Sequence, residues 1–221
     1  MTRNLKAFAL AFFGVLAMGV VAASMAQADP VFTCSSYPCK ATGSNTAGAE
    51  TITTPGGTVQ CDSHFLVEKY GTAGESIASP ASTVTVTPSY LANANCVAFG
   101  FINATVTMNE CDYEFHGTER TGIGRYNHHM VIHCPDSGNT IRIAAGTCEV
   151  AIGTQTLTTV ETENNPDGTV TVAWNLSNIT INVIKDGFGC PFAGTGHKLA
   201  SYHGEMVLSR VGGGSISTSG V

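Results

Sequence analysis

Histidines and carboxylates gather at two places in this chain, Cys111-Asp-Tyr-Glu-Phe-His116 and His128-His-Met-Val-Ile-His-Cys134. Imidazole nitrogens and carboxylate oxygens are donors that zinc and copper accept. Both stretches alternate polar with apolar residues, the period of a half-buried strand. Along one strand, His129 and His133 stand roughly 13 Å apart, too far to share an ion by themselves. A neighbouring strand changes that. If the two stretches pair with Cys111 opposite Cys134, Asp112 faces His133 and His116 faces His129, with Glu114 on the same surface. Tyr113, Phe115, Met130 and Ile132 then point inward. The candidate metal set is therefore Asp112, His116, His129 and His133. The competing reading is an ordinary solvated sheet face, and no other motif implies a cofactor.

The second reactive set is cysteine. Cys34, Cys39, Cys61, Cys96, Cys111, Cys134, Cys148 and Cys190 allow about 105 pairings. No C-x-x-C occurs, so neither a zinc knuckle nor a dithiol redox site is indicated, and structural disulfides are expected. A hairpin with its turn near Asn103 would set Cys96 opposite Cys111. Cys34 and Cys39 would close a short loop. Cys134 with Cys148 is less favoured, because a strand at Thr140–Ala144 lies between them. Cys61 and Cys190 then remain for each other. The signatures G-x-S-x-G, G-x-x-x-x-G-K-[ST], H-E-x-x-H and D-x-[DN]-x-[DN]-G are all absent. Paired glycosidase carboxylates leave no local signature, so they stay open. The single tryptophan, Trp174, alternates with Val170 and Val172 and reads as core rather than as an exposed sugar platform.

Disulfides imply an oxidising compartment, and the N-terminus agrees. Arg3 and Lys6 precede an uncharged run, Ala7–Ala23, and Ala26-Gln-Ala28 has the small-x-small pattern of a cleavage site. Residues 1–28 are read as a signal peptide, which makes the protein secreted and extracellular, with Asp29 as the first mature residue. No later stretch is long and apolar enough for a membrane span, so none is expected in the mature chain. Cleavage would leave eight of the ten basic residues against all sixteen acidic ones. Such a chain gains no counterion-release energy on nucleic acid, and anionic membranes repel it. Thr, Ser, Asn and Gly carry its solubility, since only 12% of residues are charged against about 25% in a typical domain. Asn103, Asn175 and Asn178 head N-x-[ST] triplets, a pattern that an Asn- and Thr-rich chain produces by chance.

These residues need elements to position them, and the periodicity beyond residue 28 is that of strands. Period-two runs rich in Val, Ile and Thr fall at Thr58–Cys61, Phe65–Glu68, Ser82–Pro88, Ala104–Asn109, Thr140–Ala144 and Cys148–Ile152. Others follow at Leu157–Glu163, Thr169–Leu176, Ile179–Ile184 and Tyr202–Arg210. Asn164-Asn-Pro-Asp-Gly168 and Asp136-Ser-Gly-Asn139 are turn sequences, each expected to join the runs around it as a hairpin. The expected fold is all-β: an antiparallel β-sandwich, or an irregular barrel, of about ten short strands held by disulfides. It occupies residues 58–211. Residues 29–57 read as an extended arm, and 212–221 as a flexible Gly/Ser tail.

Four stretches, Thr83–Tyr90, Asn95-Cys-Val-Ala-Phe-Gly100, Ala104–Tyr113 and Cys134-Pro135, carry a resemblance. This pattern resembles a group of small secreted bacterial proteins that are β-rich and cysteine-paired, and whose activity is uncharacterised. The resemblance covers roughly Val59–Cys190 and implies an extracellular β domain. It supplies no catalytic residue, and Cys34 and Cys39 fit it less well. The resulting expectation is a non-enzymatic extracellular surface or binding module with an unknown ligand. The alternatives are a secreted hydrolase with a dispersed His/carboxylate site, favoured by a deep cleft with two carboxylates, and an enzyme inhibitor. An exposed apolar patch would favour binding.

Overall fold

A computed structural model describes residues 29–45, 50–62, 66–67, 76–86, 88–89, 95–136, 138–192 and 194–220. The signal sequence read at residues 1–28 lies outside the described residues. Strands occupy β1 (Val31–Cys34), β2 (Cys39–Asn45), β3 (Glu50–Thr54), β4 (Gly57–Asp62), β5 (Leu66–Val67), β6 (Ser76–Ile77), β7 (Thr83–Val86), β8 (Pro88–Ser89) and β9 (Asn95–Ala98). They continue as β10 (Ile102–Thr107), β11 (Asp112–Gly122), β12 (Arg125–His133), β13 (Ile141–Ala145), β14 (Cys148–Ile152), β15 (Gln155–Asn164), β16 (Val170–Asp186), β17 (Gly196–Arg210) and β18 (Ile216–Ser219). No helix occurs among the described residues. All the pairings are antiparallel, as chains of short alternating runs joined by tight turns require.

Eight strands close into a barrel in the order β17-β3-β4-β9-β10-β13-β14-β16, with β16 returning to β17. Closure removes the unpaired edges that an open sheet would leave. Alternation sends Val59, Ala98, Ile143, Val150, Ile152, Ile181 and Ala200 inward and buries each of them. Outward positions are mostly polar, as at Thr53, Gln60, Asn103, Thr105, Arg142 and Thr180, with Leu199 an exposed apolar exception. The interior is filled by side chains. Two spaces of about 10 and 20 Å³ remain, each enough for about one water.

Two of these strands are too long for the barrel and extend beyond it. Below Leu176, β16 pairs with β15 as well as with β17, from Asn164↔Val170 to Val160↔Trp174. β17 likewise runs from β3 onto β2, to Arg210↔Ala41. This extension is the centre of an open sheet ordered β7-β11-β12-β15-β16-β17-β2-β6. The register between β16 and β17 slips between Leu176 and Ile179. Asn178 adopts φ 61° there, a left-handed conformation that Asn tolerates better than most residues. The bulge keeps both Leu176 and Ile179 buried although they are three residues apart. Thr159, at φ 77°, does the same for Leu157 and Val160 on β15, where the register with β12 shifts between His128 and His129.

A two-stranded ribbon of β1 and β18 lies over the open sheet. Phe32 and Ile216 are buried beneath it, each with 2% of its surface exposed. The Phe32 ring packs against His128, with centroids 5.0 Å apart. The Asn164 side chain fixes the ribbon by donating to the Thr218 carbonyl at 2.7 Å and accepting from the Thr218 amide at 2.7 Å. Trp174 is core, as its alternation with Val170 and Val172 suggests, at 3% exposure. It fits because Gly204 faces it across the hairpin. A Cβ on Gly204 would lie 2.7 Å from the indole Cε2, and closer still to Cζ2.

Several expectations need correction. The all-β class is as expected, and of the two architectures the barrel is the one found, closed and continued into an open sheet because β16 and β17 are each long enough to serve both. The segment 29–57, read as an extended arm, contains β1, β2 and β3, and β3 is a barrel stave. The Gly/Ser tail supplies β18, whose Ile216 enters the core. The 136–139 turn joins β12 to β13, which lie in different parts of the sheet and do not pair with each other.

The disulfides are Cys34–Cys39, Cys61–Cys96, Cys111–Cys134 and Cys148–Cys190, with no free cysteine among the described residues. Only Cys34–Cys39 matches the expected set. The β9–β10 hairpin exists, but it turns at Phe99–Phe101, which places Ala104 opposite Cys96 and leaves Cys111 beyond the pairing. Cys96 instead faces Cys61 on the adjacent strand β4. Cys111 and Cys134 close the open end of the β11–β12 pair, next to Asp112↔His133.

Peptide mapping of unreduced protein is expected to recover these four linkages and no Cys96–Cys111 peptide. Gly204→Ala is expected to cost about 1–3 kcal/mol, because extra volume in a filled core forces strain. Urea denaturation measures this, and an unchanged midpoint would contradict the packing.

Candidate functional site

The His/carboxylate register expected from sequence is the register found. Asp112 pairs with His133, Glu114 with Val131 and His116 with His129, while Tyr113, Phe115, Met130 and Ile132 are buried on the other face. The His116 and His129 rings stack with centroids 4.8 Å apart and planes 15° from parallel. His116 Nε2 lies 3.3 Å from Glu114 Oε2. Its Nδ1 is 3.1 Å from the Thr83 hydroxyl on β7, a neighbour that the sequence reading did not include. The His129 pKa is lowered, first by burial and then by the charge of His116.

The four metal candidates do not converge. His116 and His129 meet, whereas Asp112 and His133 lie four residue pairs further along the strands, roughly 13 Å away. Among the described residues no group of three or more His, Cys, Asp or Glu could hold a metal ion. On this face Val131 stands between the two histidines of β12, and Glu114 opposite it is engaged with His116 Nε2.

His128 points the other way, under the ribbon, with 1% exposure. Its Nε2 is 2.9 Å from the Thr162 hydroxyl, and its Nδ1 has no hydrogen-bond partner among the described residues. Burial, with a smaller contribution from His129, lowers its pKa from 6.5 to about 4.

A second surface lies at the junction of barrel and sheet. Asn109, Glu110, Gly138, Asn139 and Arg142 line an open polar hollow of about 440 Å³. Asn109 Nδ2 donates to the Thr140 carbonyl at 2.8 Å, and Asn139 Nδ2 donates to Glu110 Oε2 at 3.3 Å. Arg142 is already engaged by Glu149 at 2.8 Å.

The third surface is one end of the barrel. The pairings Thr54↔Gly57, Ala98↔Ile102, Ala145↔Cys148 and Val183↔Gly196 place four connections there: 55–56, 99–101, 146–147 and 187–195. None of these connections contains an ionisable side chain. Phe192 and Phe99 pack edge to face at 6.4 Å beneath them. The Thr147 hydroxyl donates to the Phe188 carbonyl at 2.9 Å, the Gly187 amide donates to the Thr147 carbonyl at 3.2 Å, and Cys148–Cys190 ties the longest connection to β14. Two aromatic rings then project from a braced base. Phe101 is 82% exposed, and Phe188 is as exposed as in an extended chain, at 102%. The sequence reading missed both. The available signal was the flanking glycine, in Phe99-Gly-Phe101 and Gly187-Phe-Gly189, which marks a turn outside the period-two pattern but does not separate exposed Phe101 from Phe99, which packs on the core.

Fold and surfaces together define the class: a disulfide-bonded, all-antiparallel β-barrel continued into an open sheet. The chain matches no protein-family model, and comparison with curated proteins and with solved structures gives no match.

The lowered His128 pKa has a definite sign. The unfolded histidine binds a proton near pH 6.5 and the folded one only near pH 4, so protonation favours unfolding. Full stability is present above pH 6.5 and falls as pH drops through this window, by roughly 3 kcal/mol in total. Urea titrations of chelator-treated protein are expected to show this loss, and His128→Gln is expected to flatten it. An unchanged pH profile in His128→Gln would remove His128 as the cause.

Proposed function

We propose that this is a secreted, non-enzymatic binding protein whose ligand-facing surface is the four-connection end of the barrel. The observation that carries this reading is a contrast. The barrel interior is filled to within spaces of about 10 and 20 Å³, whereas Phe101 and Phe188 stand exposed on a rigid base. Large apolar side chains held out in water at one end of a scaffold favour association, and rigid scaffolds commonly carry binding residues on their connections. Four disulfides support an oxidising location, consistent with secretion.

One observation favours a second reading, hydrolysis. Thr83, His116 and Glu114 form a hydroxyl–imidazole–carboxylate chain with links of 3.1 and 3.3 Å, the order in which a base activates a nucleophile. Against it, the His116 and Glu114 side chains are each 30% exposed on a sheet face. Water there weakens the electrostatic stabilisation that a transition state needs.

Purified protein is expected to show no turnover on ester, peptide or glycoside substrates. Glu114→Ala and His116→Ala are expected to leave ligand capture intact, whereas serine at 101 or 188 weakens it. Hydrolysis abolished by Glu114→Ala in folded protein would reverse the ranking.

A further inference from the structure

We propose that the occupant of the aromatic barrel end is an uncharged lipid surface, into which Phe101 and Phe188 insert as shallow wedges. This rests on the reading of that end as the binding surface and specifies its partner. Each ring carries roughly 150–250 Å² of apolar surface, and neither is covered by the protein. Phe101 precedes β10 and Phe188 follows β16, so β13 and β14 lie between them, a span of roughly 15 Å. Rings so far apart are tips rather than a continuous platform, and tips suit a deformable phase better than a rigid ligand.

The chemistry around the tips selects among partners. A saccharide or peptide is held by donors and acceptors as well as by stacking. The four connections offer few: Thr147 and Thr195 are their only hydroxyl residues, no carboxamide or ionisable group is present, and the Thr147 hydroxyl is spent on the Phe188 carbonyl. A lipid surface requires none. The charged residues nearest the tips are Glu149, Lys185, Asp186, His197 and Lys198, on the strands below, and Lys185 is paired with Glu149. No cationic cluster is therefore available to draw in anionic headgroups, and an excess of carboxylates in the whole chain opposes them. The barrel wall is polar at Thr53, Gln60, Asn103, Thr105 and Thr180, with Leu199 opposite Thr180 as an exposed exception, so contact centres on the tips. The glycines flanking each ring leave its path into the interface unobstructed, and Cys148–Cys190 and the Phe99–Phe192 contact hold the base against the load.

Two phenylalanines without a charge contribution give weak, reversible attachment, comparable to or below that of a single acyl chain. The test is flotation of the purified, disulfide-bonded protein with phosphatidylcholine vesicles at about 10 mM lipid. Binding is expected, unchanged in about 0.5 M salt and reduced when phosphatidylserine replaces part of the phosphatidylcholine. Phe101→Ser and Phe188→Ser are each expected to lower partitioning about tenfold to a hundredfold. A Phe188→Trp reporter is expected to shift to the blue on vesicles, against a constant signal from buried Trp174. Binding that persists in the double serine variant, or that rises with phosphatidylserine, overturns the proposal. Failure on vesicles together with Phe-dependent capture of a polysaccharide or protein also overturns it, while leaving the binding reading in place. Failure on vesicles and on all such ligands overturns both.

Discussion

The antiparallel pairing of β16 with β17 is the constraint on which the rest of the molecule depends. Their register runs from Val170↔Leu208 to Val183↔Gly196, far longer than one barrel wall needs. One end of this hairpin completes the barrel and the other end is the middle of the open sheet. The two halves therefore cannot be separated into sandwich layers or independent domains. Where they join, the chain must change direction without exposing its apolar face. The bulge at Ser177 and Asn178 achieves this, since one extra residue increases the local twist and resets which side chains point inward. Gly204 is a further consequence: with the Trp174 indole lying over the hairpin, the facing residue has no room for a side chain.

Covalent links reinforce the places where pairing alone is weakest. Cys61–Cys96 joins neighbouring barrel staves, Cys111–Cys134 closes the open end of β11 and β12, and Cys148–Cys190 anchors the longest connection. Each restricts the unfolded chain more than it alters the folded one. The ribbon of β1 and β18 covers what remains of the apolar sheet face, bringing the two ends of the described chain together over His128. Burial of that imidazole couples ribbon packing to acidity. The stacked His116 and His129, on the opposite face, stay in contact with water.

The surface divides accordingly. Barrel walls and the outer sheet face carry mainly Thr, Asn and a few charged residues, with Leu199 exposed among them, while Phe101, Ile123 and Phe188 stand out at glycine-flanked turns. A closed, filled barrel leaves little interior for a ligand, so recognition falls to what the barrel holds at its ends.

Local pattern alone determined the strand class, most strand positions, the burial of Trp174 and the pairing of the His116 and His129 strands. Each of these follows from side-chain alternation, which is written residue by residue and needs no partner to be read. The spacings Leu157–Val160 and Leu176–Ile179 break that alternation, and the linear chain does not say whether a strand ends there or bulges. Only the assembled sheet decided that both bulge, because ending a strand at either point would leave hydrogen bonds of its neighbours unpaired. Disulfide partners were decided at the same level. Cys96 faces Cys61 rather than Cys111 because barrel closure brings β4 beside β9, a contact between residues 35 positions apart. Likewise, the sequence marks Phe101 and Phe188 as turn residues, but only the return of β16 to β17 places them at one end of one barrel. Alternation is a local property of the pleat, and closure is a global one fixed by the sum of all pairings, so the first was legible in the sequence and the second was not.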